Sequence, residues 1–185
     1  MSLTAPASLE EVAAAVAGAL ETAKIRAVLT GGGCATIYSG GAYQSEDLDW
    51  IIQSAPTQRK LDDAMGSIGF KRKVDHYVHP KTHFFVEFPR GPLAIGRDLK
   101  ITPVHIQIGP RRIAALSPTD SCRDRLAAFY HWNDRQCLDT AILIALSRKV
   151  NLPQIRRWSA GEKSTDRFEE FERELRAARR KKKKG

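Results

Sequence analysis

The chain has little cysteine, and what it has forms no pattern. Cys34, Cys122 and Cys137 are odd in number, far apart and without a CxxC pair, so neither a disulfide framework nor a cysteine-based zinc site is indicated. Cys34 lies inside a glycine block and reads as a small buried thiol packed behind it, with no chemistry of its own. No apolar run approaches the roughly 20 residues of a membrane span. The opening stretch MSLTAPASLEEVAAAVAGAL lacks a basic start and sets Glu10 and Glu11 ahead of its apolar part, unlike a secretory signal; the expectation is a cytoplasmic protein with no membrane partner. No Gly-Lys-Ser/Thr follows the three glycines and no GxGxxG spacing occurs, which removes the P-loop and the dinucleotide fingerprint. No internal repeat is present. His76, His79 and His83 do not make a zinc site: the first two fall on opposite faces of a strand, and Pro80 interrupts the helical spacing of the last two.

What is present is ordinary for a globular protein, with 42% hydrophobic and 28% charged residues in 185. That length suits a compact α/β unit followed by a smaller helical one. The net charge of +9 is concentrated at the end, where Arg179, Arg180 and Lys181 to Lys184 supply six of the nine charges. A run of this kind reads as a solvated, disordered tail that can bind nucleic acid electrostatically.

Periodicity divides the chain. Ser8 and Glu11 have the spacing of a capping box at the head of an amphipathic helix reaching about Ala23. A strand over Ile25 to Thr30 enters the glycines, a short helix covers Gly33 to Ser39, and a second strand covers Leu48 to Ile52. A helix over Thr57 to Ile68 is followed by a meander of Phe70–Val74, Tyr77–His79 and His83–Phe88, and then by strands at Val104–Ile108 and Arg111–Leu116. From Ser117 the pattern is helical. Ser117 and Pro118 open one helix, Asn133 caps a second running to about Ser147, Asn151 and Pro153 open a third, and Ser164 or Thr165 opens a fourth. Trp132 and Trp158 read as packing between these helices. The resulting domain plan is an α/β unit over 1–116, a helical accessory region over 117–178 and a basic tail over 179–185.

The stretch with the most chemistry is LTGGGCATIYSGGAYQSEDLDW, residues 29–50. Glycines directly after a strand let the backbone approach a ligand and leave N–H groups at a helix N-terminus free for phosphate oxygens. Residues two apart on a strand share a face, so Asp47 and Asp49 project together while Leu48 and Trp50 face the core. Paired carboxylates repel one another unless a cation lies between them, and Mg²⁺ takes carboxylate and phosphate oxygens together. Glu87, flanked by Phe85, Val86 and Phe88, is a third acid that is costly to bury without a partner. Lys71, Arg72 and Lys73 read as a solvated edge, and Arg90 and Arg97 as candidates to face the cleft of Glu87.

Gly32-Gly33, Asp47-Leu48-Asp49-Trp50 and the later Glu87 together resemble the nucleotidyltransferase superfamily, and small bacterial stand-alone and toxin–antitoxin members in particular. The resemblance spans about residues 25–116. It implies an α+β fold, with a nucleotidyltransferase-like mixed sheet, flanking helices and a small C-terminal helical region. It also implies a metal-dependent transfer of a nucleoside monophosphate from an NTP to a hydroxyl of RNA, protein or a small molecule. Asp47, Asp49 and Glu87 would then be the catalytic and metal-binding acids, holding Mg²⁺ or Mn²⁺, while Gly32, Gly33 and Ser45 would bind the nucleotide. Gly-Gly stands where many members have Gly-Ser, and Tyr43-Gln44 where relatives often carry an arginine. The alternative is a catalytically inactive relative, or a toxin–antitoxin component, acting through nucleic acid or a protein partner bound by the basic tail.

Overall fold

Ser8 opens the first helix as its spacing predicts. The backbone N–H of Glu11 donates to Ser8 Oγ at 3.2 Å and that of Ser8 donates to Glu11 Oε2 at 2.8 Å. Two of the helix's orphan donors are thereby satisfied. The computed structural model describes residues 3 and 6–183. Helix α1 (Leu9–Thr22) buries Val12, Val16 and Leu20 and is followed by β1 (Ala27–Thr30), α2 (Gly31–Ser39), β2 (Asp47–Ile52), α3 (Gln58–Gly66), β3 (Lys71–Lys73), β4 (His76–Val78), β5 (Phe85–Glu87), β6 (Val104–Ile108) and β7 (Arg111–Ala115). Helices α4 (Pro118–Trp132), α5 (Arg135–Ser147), α6 (Leu152–Gly161) and α7 (Thr165–Lys182) follow.

Two compact units result. The first takes in the chain up to Cys34 with Ser45–Leu93 and Thr102–Leu116. All seven strands of the described residues lie in it, as one mixed sheet of order β3-β4-β5-β2-β1-β7-β6. Strand β1 is antiparallel to β2 and parallel to β7, and β2 is parallel to β5. Because parallel neighbours need a long crossover, residues 53–84 carry α3 and the β3–β4 hairpin between β2 and β5. Leu48, Trp50 and Val86 are at most 1% exposed and share one face of the sheet, as alternation requires. Helix α1 packs on α3 and on β6 and β7. The α+β class with a mixed sheet and flanking helices is the one expected.

The second unit differs from a simple cut at residue 117. It includes Ala35–Gln44 and Ala94–Ile101 besides the chain from Ser117 onward. Residues 94–101, which have no legible period, form a turn bridged between Ile95 and Asp98 and held by polar side chains. Trp158 Nε1 donates to the Ile95 carbonyl at 3.3 Å, Arg97 N donates to Glu162 Oε1 at 2.9 Å, and Arg123 donates to Asp98 at 2.5 Å. Buried Phe168, Phe171 and Leu175 of α7 share the core of this unit with Leu126, Phe129 and Leu138.

Three other expectations are corrected. Asp134 rather than Asn133 caps α5, its side chain accepting from Cys137 N at 3.1 Å. Asn133 instead ends α4 at φ 55°, a left-handed position that Asn tolerates. Trp158 is buried and stacked on Tyr130, whereas Trp132 is 76% exposed and packs between no helices. The basic run does not begin a disordered tail at 179, because α7 continues through Lys182. Arg179 and Lys182 donate to the carbonyls of Ala145 and Leu146 at the end of α5, where cations also complement the helix dipole. Lys184 and Gly185 lie outside the described residues.

Val74 stands at the β3–β4 turn with φ 50° and 90% exposure, a conformation that is a true outlier for a β-branched residue. Val74→Asn, which suits this backbone and gives up no buried contact, is expected to raise stability by about 1 kcal/mol. A denaturant midpoint that stays or falls would count against that strain.

Candidate active site

The site begins where β1 ends. Gly31, at φ 61°, turns the chain directly from the strand into α2, so the three glycines form the first turn of the helix. The helix therefore starts two residues before the Gly33 expected from the sequence. A Cβ at Gly31 would stand 2.0 Å from Asp49 Oδ2, and one at Gly32 would stand 2.2 Å from Ser45 Oγ and 3.3 Å from Asp47 Oδ1. The bare backbone therefore admits the side chains of the next strand against the helix start. Gly33 serves differently. Its Cβ would meet the backbone of β2, at 3.1 Å from the Asp47 carbonyl and 3.3 Å from Leu48 Cα, so its small size sets the close packing of helix on strand.

On β2, Asp47 and Asp49 are half-buried on one face while Leu48 and Trp50 are buried on the other. The parallel ladder to β5 sets Asp47 opposite Phe85 and Asp49 opposite Glu87. Register partners lie on the same side of a sheet, so the third acid comes to the face of the first two. Thr30, at the end of β1, lies opposite Asp49 and donates its hydroxyl to the Asp49 carbonyl at 3.3 Å. Ser45 is buried and its hydroxyl bonds the Asp47 carboxylate.

Glu87 is held above the usual carboxylate range, first by burial and then by the charges of Asp47 and Asp75. His76 offsets this in part: it is the register partner of Glu87 on β4, and its Nδ1 lies 3.0 Å from Asp75 Oδ1. Neither His76, which the spacing excludes as a zinc ligand, nor Gly31 is marked by the sequence as part of this site. Pairing of β4 with β5 brings His76 in, and no spacing in the sequence announces that register. Of the arginines, Arg90 lines the same cavity as Glu87, while Arg97 belongs to the second unit. Lys71, Arg72 and Lys73 form the exposed edge strand β3, with Arg72 Nε 3.2 Å from Asp62. Cys34 is fully buried, its thiol facing the Leu116 carbonyl.

The three acids suit a hard divalent cation in chemistry and placement. They offer carboxylate oxygens from one face, and a positive charge would relieve the repulsion that raises Glu87. Their side chains are not gathered: among the described residues no three His, Cys, Asp or Glu side chains converge as a ligand set. Asp47 is engaged by Ser45, and the Asp49 carboxylate lies against Gly31.

No family model matches the chain, and the search of curated proteins returns no match. Among solved structures, the chain is similar to an antigenic nucleotidyltransferase-like protein from Paracoccidioides brasiliensis. Identity is 20%, the match covers 74% of each chain, and the TM-score is 0.56. Together with the seven-stranded mixed sheet, this similarity establishes a nucleotidyltransferase-like fold.

Proposed function

We propose that this protein is a metal-dependent nucleotidyltransferase that moves a nucleoside monophosphate from an NTP to a hydroxyl acceptor. The observation that carries the reading is the β2–β5 register, which sets Glu87 beside Asp49 on the face of Asp47. That face adjoins the glycine-led start of α2. The glycine-led start of α2, with Gly32 and Gly33 in its first turn, suits triphosphate oxygens, because a helix N-terminus directs backbone N–H groups and the positive end of its dipole toward an anion. Ser45 adds a hydroxyl that already reaches Asp47.

The acids and the phosphates compete for one place. Asp47 and Asp49 lie against the helix start, so a triphosphate arriving alone meets two carboxylates. A divalent cation reconciles them, and this is the physical reason for metal dependence. Asp47, Asp49 and Glu87 would hold Mg²⁺ or Mn²⁺, which would neutralise the triphosphate, acidify the acceptor hydroxyl and stabilise charge on the leaving oxygens. The acceptor oxygen then bonds to the α-phosphorus as the bond from that phosphorus to the β-phosphate oxygen breaks, and pyrophosphate leaves. Glu87, whose burial and acidic neighbours raise its affinity for a proton, would in its ionised form take the acceptor's proton.

The test is incubation of the purified chain with each α-labelled NTP, Mg²⁺ or Mn²⁺, and separate pools of cellular RNA, protein and small metabolites. Metal-dependent appearance of label in one pool, with release of pyrophosphate, is the expected result. Absence of both transfer and metal-dependent NTP binding would remove the enzyme reading.

A second reading, of a nucleic-acid or partner-binding protein such as a toxin–antitoxin component, is favoured by the end of α7. Arg180, Lys181 and Lys183 are exposed there, and such a cluster attracts phosphates. Binding of RNA that weakens steeply with salt, without any NTP turnover, would favour it. Both readings suit a cytoplasmic protein.

A further inference from the structure

We infer that the acceptor is a small hydroxylated organic anion, bound in a cavity of the first unit that starts at Glu87 and offers guanidinium groups to its acid group. The inference rests on the nucleotidyltransferase reading and narrows its acceptor.

The cavity measures about 720 Å³, within the roughly 300–1,000 Å³ of small-molecule sites. It lies among the end of β2, the start of α3, the β3–β4 turn and the chain after β5. A cleft of that size, open on one side to solvent, suits a metabolite held whole against its walls.

The lining separates into two chemistries. Glu87 lines the space and would supply the group that meets a hydroxyl. Arg72 and Arg90 line the same space. Arg72 is anchored, with Nε 3.2 Å from Asp62 and Nη1 donating to the Val74 carbonyl at 3.5 Å. Its Nη2 has no partner among the described residues. Asp62 also accepts from Tyr77 at 2.7 Å and from Gln58 at 3.0 Å, so the guanidinium is held in a fixed network before any ligand arrives. Arg90 is exposed and has no ion pair or hydrogen bond among the described residues.

Asp75, the other acid of the lining, is bonded to His76, which leaves the two arginines to meet an anion. Arginine presents several donors in a plane, which suits a phosphate or carboxylate. An anionic group near Arg72 and Arg90 directs the hydroxyl end of the same molecule toward Glu87.

The experiment is calorimetric titration of the full chain with glycerol 3-phosphate, ribose 5-phosphate and glycerate, with glycerol and inorganic phosphate as the single-function probes. Each titration is repeated on Arg90→Gln, whose exposed position leaves the fold undisturbed, and on Asp47→Asn/Asp49→Asn. At least one two-function probe is expected to bind tighter than both single-function probes. Arg90→Gln is expected to weaken that binding about tenfold or more, and the acid variant, which removes negative charge near Glu87, to leave it no weaker. In the labelled-NTP assay, the same probe is expected to take up label.

No preference for the two-function probes, or no effect of Arg90→Gln, overturns the inference even if NTP is turned over. Transfer to RNA or protein with the same kcat/KM in Arg90→Gln overturns it too, while leaving nucleotidyl transfer standing. Arginine-dependent binding without any NTP turnover or metal-dependent NTP binding overturns the acceptor role together with the proposed activity.

Discussion

Replacing Asp47 and Asp49 together by asparagine is expected to abolish nucleotidyl transfer and leave the fold intact. Both side chains are half-buried on the open face of β2, so the shape-conserving change leaves the packing of Leu48 and Trp50 behind them undisturbed. What disappears is negative charge at the start of α2. Losing one preorganised electrostatic contact to a transition state typically costs about 10²–10³ in rate, and the loss of both acids removes the seat of the cation itself. Stability should hold or rise slightly, because half-buried like charges repel one another. An unchanged thermal midpoint with no label transfer and no Mg²⁺-dependent NTP binding is the expected outcome. Transfer within tenfold of the parent chain would show that the acids do not hold the metal.

The second large effect belongs to Gly31→Ala. At φ 61° an alanine carries about 1–2 kcal/mol of conformational cost, and its Cβ would stand 2.0 Å from Asp49 Oδ2. Either the carboxylate swings away or the start of α2 moves off β2, and both separate the acid from the helix terminus. Transfer is expected to fall about 10²-fold, of the order of losing one charge-stabilising group. The thermal midpoint should drop by several degrees, since each kcal/mol shifts a chain of this size by about 2–4 °C.

Gly40→Ala separates the two causes, because Gly40 has a similar φ of 68° but open space where a Cβ would go. It should lose similar stability and keep its activity. Equal activity losses in the two variants would show that the contact with Asp49 plays no part.

The acids were legible because strand periodicity is local. Asp47-Leu48-Asp49-Trp50 alternates polar and apolar, and the structure puts the two pairs on opposite faces of β2. The fold class was legible for the same reason, through strands in the first part and helices from Ser117. Register was not. Nothing near Glu87 says that it pairs with Asp49 on one side and His76 on the other, since that depends on how the crossover over 53–84 closes.

Gly31 was missed because its special backbone angle comes from the direct passage of β1 into α2, which a glycine triplet alone does not specify. Residues 94–101 were unreadable because polar side chains of Glu162, Trp158 and Arg123 hold them, with no periodic apolar face. The end of α7 looked disordered by composition, yet carbonyls of α5 give Arg179 and Lys182 fixed partners.

The strand Lys71-Arg72-Lys73 has a consequence at the scale of many molecules. It is the outermost strand on its side of the sheet and is exposed at all three positions. An outer strand offers unpaired backbone groups to any passing strand, and short length and lysine side chains are two ways natural sheets prevent such end-to-end growth. Three consecutive cations therefore act as an insulating margin, keeping copies of this protein from adding to one another's sheets as they crowd together.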